Sequence, residues 1–128
     1  MIPCSGIGKP FGSIGRDATF RVVDELRSDT AETNCLSLLV MGDEDAKKQV
    51  AESICIAVDG CPLECARKNI EMAGGKVAAH IRVMDLLREN RGLRPREVTF
   101  LDEDGKKLST ILADRIAAKV DELLEEPR

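Results

Sequence analysis

The sequence predicts an α/β fold, a single-domain sandwich with a small, largely parallel sheet flanked by helices, Rossmann-like in type. Three observations predict it. The run Ile54-Cys55-Ile56-Ala57-Val58 is continuous and β-rich, the pattern of a parallel strand covered on both faces. Helical patterns precede and follow it, and strands alternating with helices imply a sheet layered with helices. The chain has 128 residues, 43% hydrophobic and 33% charged, enough to bury one core without staples. No repeat, low-complexity tract or Pro/Gly/Ser linker interrupts it, so residues 1–128 read as one domain.

Taken in order, Met1-Ile2-Pro3 is a short apolar stub that breaks at Cys4 into a glycine-rich loop, Gly6 to Gly15. Asp17 can cap a helix to about Arg27, with Phe20, Val23 and Leu26 at helical spacing. The apolar run from Cys35 to Met41 fits either a short buried strand or a helical turn. Asp43 starts a helix to Glu52. The strand at Ile54–Val58 stops at Asp59-Gly60, where a helix is expected to begin with Pro62 in its first turn, a position that needs no N–H. That helix runs to about Met72 and ends at Gly74-Gly75. His80 to Leu87 is a second strand candidate. A long amphipathic helix closes the chain, with Leu108, Ile111, Leu112, Ile116, Val120 and Leu123 as its apolar stripe.

Composition excludes several functions. Three Phe and no Tyr or Trp leave no stacking platform for single-stranded nucleic acid. The net charge is −4 with both signs interspersed, so no basic stripe exists for a phosphate backbone. No apolar run of about 18 residues predicts a membrane span, and the first residues lack the pattern of a signal peptide. Cytoplasm is the expected compartment. Thiols stay reduced there, so five Cys point to metal binding or thiol chemistry rather than to disulfides.

Two loops imitate ligand motifs and fail. In the glycine-rich loop, Pro10 stands where a phosphate loop needs Ser or Thr after Gly8-Lys9, and the third glycine of a dinucleotide fingerprint is shifted to Gly12. The loop reads as a tight turn beside Cys4. The acidic stretch Leu101 to Lys107 lacks the ligand spacing of a calcium loop and reads as a solvated turn.

The cysteines are the stronger signal. On a helix start, Cys61 and Cys65 would share one face about 5–6 Å apart at Cβ, within reach of one zinc ion at about 2.3 Å from each sulfur. First-turn N–H groups would favour the Cys61 thiolate. Asp59 could cap that helix, accept a hydrogen bond from a ligand, or bind metal weakly. Cys4 and Cys61 both follow candidate strands, and functional residues of such sheets collect beyond the strands' carboxyl ends. A zinc knuckle would show two close pairs. Here Cys4 and Cys35 stand alone, so any shared metal takes ligands from separate loops. Spacing leaves Cys35 undecided between core and ligand. Cys55, inside the strand, reads as packing. His80 is the only histidine. At a strand start it reads as structural ahead of ligand or base, and a lone histidine gives His-assisted catalysis little material.

Cys4-Ser5-Gly6, the lone Cys35 and Asp59-Gly60-Cys61-Pro62-Leu63-Glu64-Cys65-Ala66 together resemble the DGC-domain family. These are small prokaryotic proteins named for the Asp-Gly-Cys motif and associated with zinc binding. The resemblance runs from Cys4 through the helix after Cys65, and the Asp-Gly-Cys-Pro-x-x-Cys-Ala string is its most specific part. One departure is that only Met1-Ile2-Pro3 precede Cys4, where the family's first strand is usually longer. The resemblance implies Cys4, Cys35, Cys61 and Cys65 as zinc ligands and supplies no activity. Four thiolates would close the metal's shell and make it structural or stored, whereas three would leave a position for water or substrate. The alternative is thiol-based redox or sulfur transfer, with Cys61 as nucleophile and Cys65 or Cys4 resolving. An iron–sulfur cluster fits the cysteine number but no ferredoxin spacing. The expected partner is a metal ion, with no nucleic acid and no membrane. A homo-oligomer is compatible with a small α/β domain, and nothing in the sequence specifies its interface.

Overall fold

A computed structural model describes residues 1–4, 10–60, 62–97 and 100–125. Its central strand, β2 (Cys55–Asp59), lies within one residue of the expected span and is buried along its whole length. Strand β1 (Ile2–Pro3) pairs parallel to it on one side and β3 (Val77–Arg82) parallel on the other. The described strands therefore run β1-β2-β3 in sequence order. That is the expected mixed α/β class with a small parallel sheet. A Rossmann-type sheet reverses its strand order at a switch point, and this order has no reversal.

Helix α1 (Pro10–Arg21) begins inside the segment expected to be loop. Pro10 supplies a favourable first-turn residue, and Gly12, Ile14, Gly15, Ala18 and Thr19 are buried. Residues Pro10 to Gly15 are thus helix rather than loop, and Asp17 lies within α1 rather than capping it; Gly6 and Gly8 lie outside the described residues. A π-helical turn, Val22–Leu26, continues the helix. The buried stripe is Ile14, Ala18 and Val22, while Phe20 is exposed. Of the expected stripe Phe20, Val23 and Leu26, Leu26 packs against this cluster and Phe20 does not; Gly15, whose Cβ position lies 3.6 Å from Val58, lets the Ile14 side approach the sheet closely.

The ambiguous apolar run folds as helix α2 (Leu36–Val40). Helix α3 (Glu44–Glu52) follows, with the Asp43 carboxylate accepting from Ala46 N–H at 3.0 Å. Helix α4 (Cys65–Met72) starts later than expected, and Pro62 lies in the turn before it. It ends where Gly74 (φ +89°) lets Gly75 N–H reach Ile70 C=O and Gly74 N–H reach Glu71 C=O, a closure that requires a left-handed residue. The second strand candidate is divided. Residues Val77–Arg82 are strand, and Val83–Glu89 form helix α5, whose Val83 and Leu86 are fully buried at helical rather than strand spacing.

The acidic stretch is not a free turn. Asp102 accepts from Gly105 N–H at 2.8 Å and caps α6 (Glu103–Glu125). The stripe of α6 is as expected: Leu108, Leu112, Ile116 and Val120 are buried, and Ile111 and Leu123 pack against them.

Two apolar clusters sandwich the sheet. One joins Ile14, Ala18 and Val22 to Ile56, Val58 and Ile81 and to α5 and α6. The other joins Ile2, Cys4, Cys55 and Ala57 to Leu36, Leu39, Val50, Ala66 and Ile70. Burying each large aliphatic side chain contributes about 1.5–3 kcal/mol. No described helix is long and apolar enough to cross a membrane.

Candidate functional site at the strand ends

Side chains alternate along a strand, and residues paired across parallel strands share a face. Ile2 pairs with Ala57, and Ala57 with His80. Cys4 and Asp59, each two residues further on, therefore share that face with His80, beneath α2 and α4. The pairing of β2 with β3 slips by one residue between Cys55 and Ile56. In regular register from Cys55 and Val77, His80 would oppose Val58 and face α1 and α6. The bulge moves it to the other side.

Asp59 is fully buried at the end of β2. An isolated carboxylate there would be costly, so its partners explain its presence. Oδ1 accepts from Ala66 N–H at 2.8 Å, and Oδ2 accepts from Arg67 N–H at 3.2 Å. These are N–H groups of the first turn of α4, which have no partner within the helix. The third partner is His80, whose Nε2 lies 2.7 Å from Asp59 Oδ2. A carboxylate already receiving amide N–H bonds can only accept, which assigns the proton to Nε2. The sole histidine, read from sequence as structural, is thus built into the end of the Asp-Gly-Cys strand. Sequence spacing offered no signal of this contact, which crosses 21 residues.

The other nitrogen, His80 Nδ1, lies 3.8 Å from Glu64 Oε1. Glu64 has φ 56° and ψ 43°, the one described non-glycine residue with positive φ, a region most side chains avoid. Its carboxylate is engaged on several sides. Arg67 donates to it at 2.8 and 3.0 Å, and Arg82 at 3.5 Å. The Arg67 hydrogen bonds, aided by the charges of Arg67 and Arg82, hold the Glu64 carboxyl below its usual pKa. Gly60 completes the turn. A Cβ there would stand 3.0 Å from Gly12 N and Phe11 C, so only glycine lets the strand end meet α1 so closely.

The cysteines are distributed around this edge. Cys4 is 5% exposed, its N–H donates to Val58 C=O at 2.8 Å, and it packs in the cluster that contains Ala66. Cys65 is the first residue of α4 and is half-buried. Cys61 lies outside the described residues. The expected placing of Cys61 and Cys65 on one helix face therefore lies outside the described residues as well; Pro62 to Glu64 precede the helix, and the described thiol at its start is Cys65. Cys35 is exposed at the start of α2, next to Leu36, which packs in the same cluster as Cys4. Its thiol is held below the ordinary pKa by hydrogen bonds from the Ser37 hydroxyl, then from the Ser37 and Leu38 amides. Cys55 is buried at the opposite end of β2, its thiol donating to Val50 C=O at 3.3 Å, and burial pushes its pKa up.

Zinc favours thiolate donors, and the donor types here suit it. Among the described residues, however, no three His, Cys, Asp or Glu side chains form a group able to hold a metal ion. Cys4, Cys35 and Cys65 do not make a shell without Cys61. A groove of about 850 Å³ lies at the amino end of the sheet, lined by residues that include Asn34, Gln49, Cys55 and Lys76. It is remote from the Asp59 edge.

The family model of the DGC domain matches residues 1–110. That span contains both the Cys4 segment and the Asp59–Cys65 string. No curated protein and no solved structure matches the chain.

Proposed function

The chain belongs to the DGC-domain family, and from that membership and the strand-end geometry we propose that it binds a zinc ion through Cys4, Cys61, Cys65 and Cys35. One observation carries the reading. The buried Asp59 carboxylate draws the start of α4, and with it Cys65, onto the strand end beside which Cys4 emerges. Cys61 stands in sequence between Asp59 and Cys65, and Cys35 enters through Leu36, which shares an apolar cluster with Cys4. When bound by four thiolates, zinc would have a closed tetrahedral shell and serve as a structural or stored ion. The protein's own part is to keep the ligand-bearing segments together in the absence of metal, through Asp59 and the apolar cluster beneath α4.

Metal analysis and an absorption spectrum of protein purified without tag or chelator test this. The expected result is about one colourless equivalent of zinc per chain, lost in Cys61→Ser. Brown absorbance with iron would replace zinc by a cluster. Folded, metal-free protein would sink the metal reading in favour of thiol chemistry with Cys61 as nucleophile. The exposed Cys35 thiol with its lowered pKa is the observation on that side.

A further inference from the structure

We infer that His80 is a positioning residue of the cysteine edge: through its Nε2–H bond to Asp59 it holds the start of α4, and so Cys65, against the strand ends. The inference deepens the proposed function, because it names what orients one of the thiols. Three observations carry it. The Nε2–Oδ2 distance is 2.7 Å, and Asp59 is wholly buried. The same carboxylate holds the N–H groups of Ala66 and Arg67, the two residues after Cys65. The β2–β3 bulge places His80 on this face rather than on the α1–α6 face.

Nδ1 is turned toward a different group. Its charged neighbour is Glu64 Oε1, 3.8 Å away, itself tied to Arg67 and Arg82. The His80 side chain is 19% exposed, and the imidazole sits between two carboxylates, Asp59 at the end of β2 and Glu64 just before α4. One carboxylate holds the helix start from beneath, and the other belongs to the residue just before Cys65. The arrangement is that of a strut from β3, acting through a buried carboxylate on the turn between β2 and α4.

Substitutions that mimic one ring nitrogen at a time provide the test. The amide nitrogen of Gln reaches the position of Nε2, and that of Asn the position of Nδ1. The readout is the rate at which Cys65 is alkylated in the purified protein, located by peptide mapping, with the buried Cys55 as internal reference. His80→Leu and His80→Asn are expected to speed Cys65 labelling about tenfold, the loss expected for a hydrogen bond to a charged group, while Cys55 is unchanged. His80→Gln is expected to restore the rate to within about twofold of wild type, because it keeps the one donor that matters. If His80→Leu fails to fold, the Asn and Gln pair carries the comparison alone. A Gln variant that labels as fast as Asn would overturn the inference and assign the work to Nδ1, as would Leu and Asn variants with unchanged labelling. The labelling is read without added metal, so wild-type protein lacking zinc would sink the metal reading while leaving this result to stand or fall separately.

Discussion

On one face of the sheet, Ile56, Val58 and Ile81 meet Leu108, Leu112 and Ile116, all within one apolar cluster. On the other, Ala57, Cys4 and Ala66 are small or polarizable, and they leave room at the strand end for a buried Asp59 hydrogen-bonded to His80. The first face gains from area removed from water, roughly 25 cal/mol per Å². The second holds together at its carboxyl edge through a carboxylate that is tolerated only because its donors are present. Stability and chemistry are thereby separated by one strand's thickness. A substitution on either side should show which kind of force it removed.

The largest effect is expected on the apolar face. Leu112 is fully buried, and Leu112→Ala should cost about 2–5 kcal/mol in urea unfolding. Cys65 labelling under native conditions should stay at the wild-type rate. Faster labelling in that variant would show that the two faces are coupled, and the comparison would break.

Asp59→Ala comes next. It removes a helix cap and the acceptor of His80, and about 2–4 kcal/mol should be lost by the same unfolding measurement. Unlike Leu112→Ala, it should also speed the labelling of Cys65 in the folded protein. An Asp59→Ala chain as stable as wild type would mean that the polar clamp does not hold this edge.

The smallest effect belongs to the surface ion pair of Arg27 and Asp121, where two nitrogens lie 2.6 and 2.7 Å from the carboxylate. Hydrogen bonds from Arg27 hold the Asp121 carboxyl below its usual pKa. A carboxyl that is more acidic folded than unfolded adds stability above its unfolded pKa of about 4 and loses it as pH falls through the lowered folded value. Asp121→Asn should therefore differ slightly from wild type at pH 6, and the difference should shrink as the pH falls below the unfolded value and through the lowered folded one. A difference that persisted at the acid end would point to packing rather than charge.

Much of this was legible in the residues. The period of Leu108, Leu112, Ile116 and Val120 locates α6 and its buried side, because a helix repeats its face every three to four residues. Asp43 before α3 and Gly74-Gly75 after α4 are local start and stop signals, and both act as such. The edge at which Cys4 and Asp59 lie follows from parallel strands alone. Where reading by local rules failed, a distant partner had intervened. The helix after β2 starts at Cys65 rather than beside Asp59, because the Asp59 side chain folds over to receive Ala66 and Arg67. The glycine-rich segment from Pro10 becomes helix because Gly12 and Gly15 allow α1 to lie against Gly60 and Val58. His80 moves from the start of a strand to its interior, since Val83 and Leu86 are needed at helical spacing in the core.

The sequence by itself determined the class of fold, the family, the cysteine-bearing edge and the apolar side of the longest helix. All of these depend on short periods and short strings within one segment. Only the tertiary structure decided that the sole histidine belongs to the Asp59 edge. A one-residue slip between β2 and β3 sets which face His80 occupies, and since side chains alternate every residue, such a slip reverses the side without changing the composition of either strand.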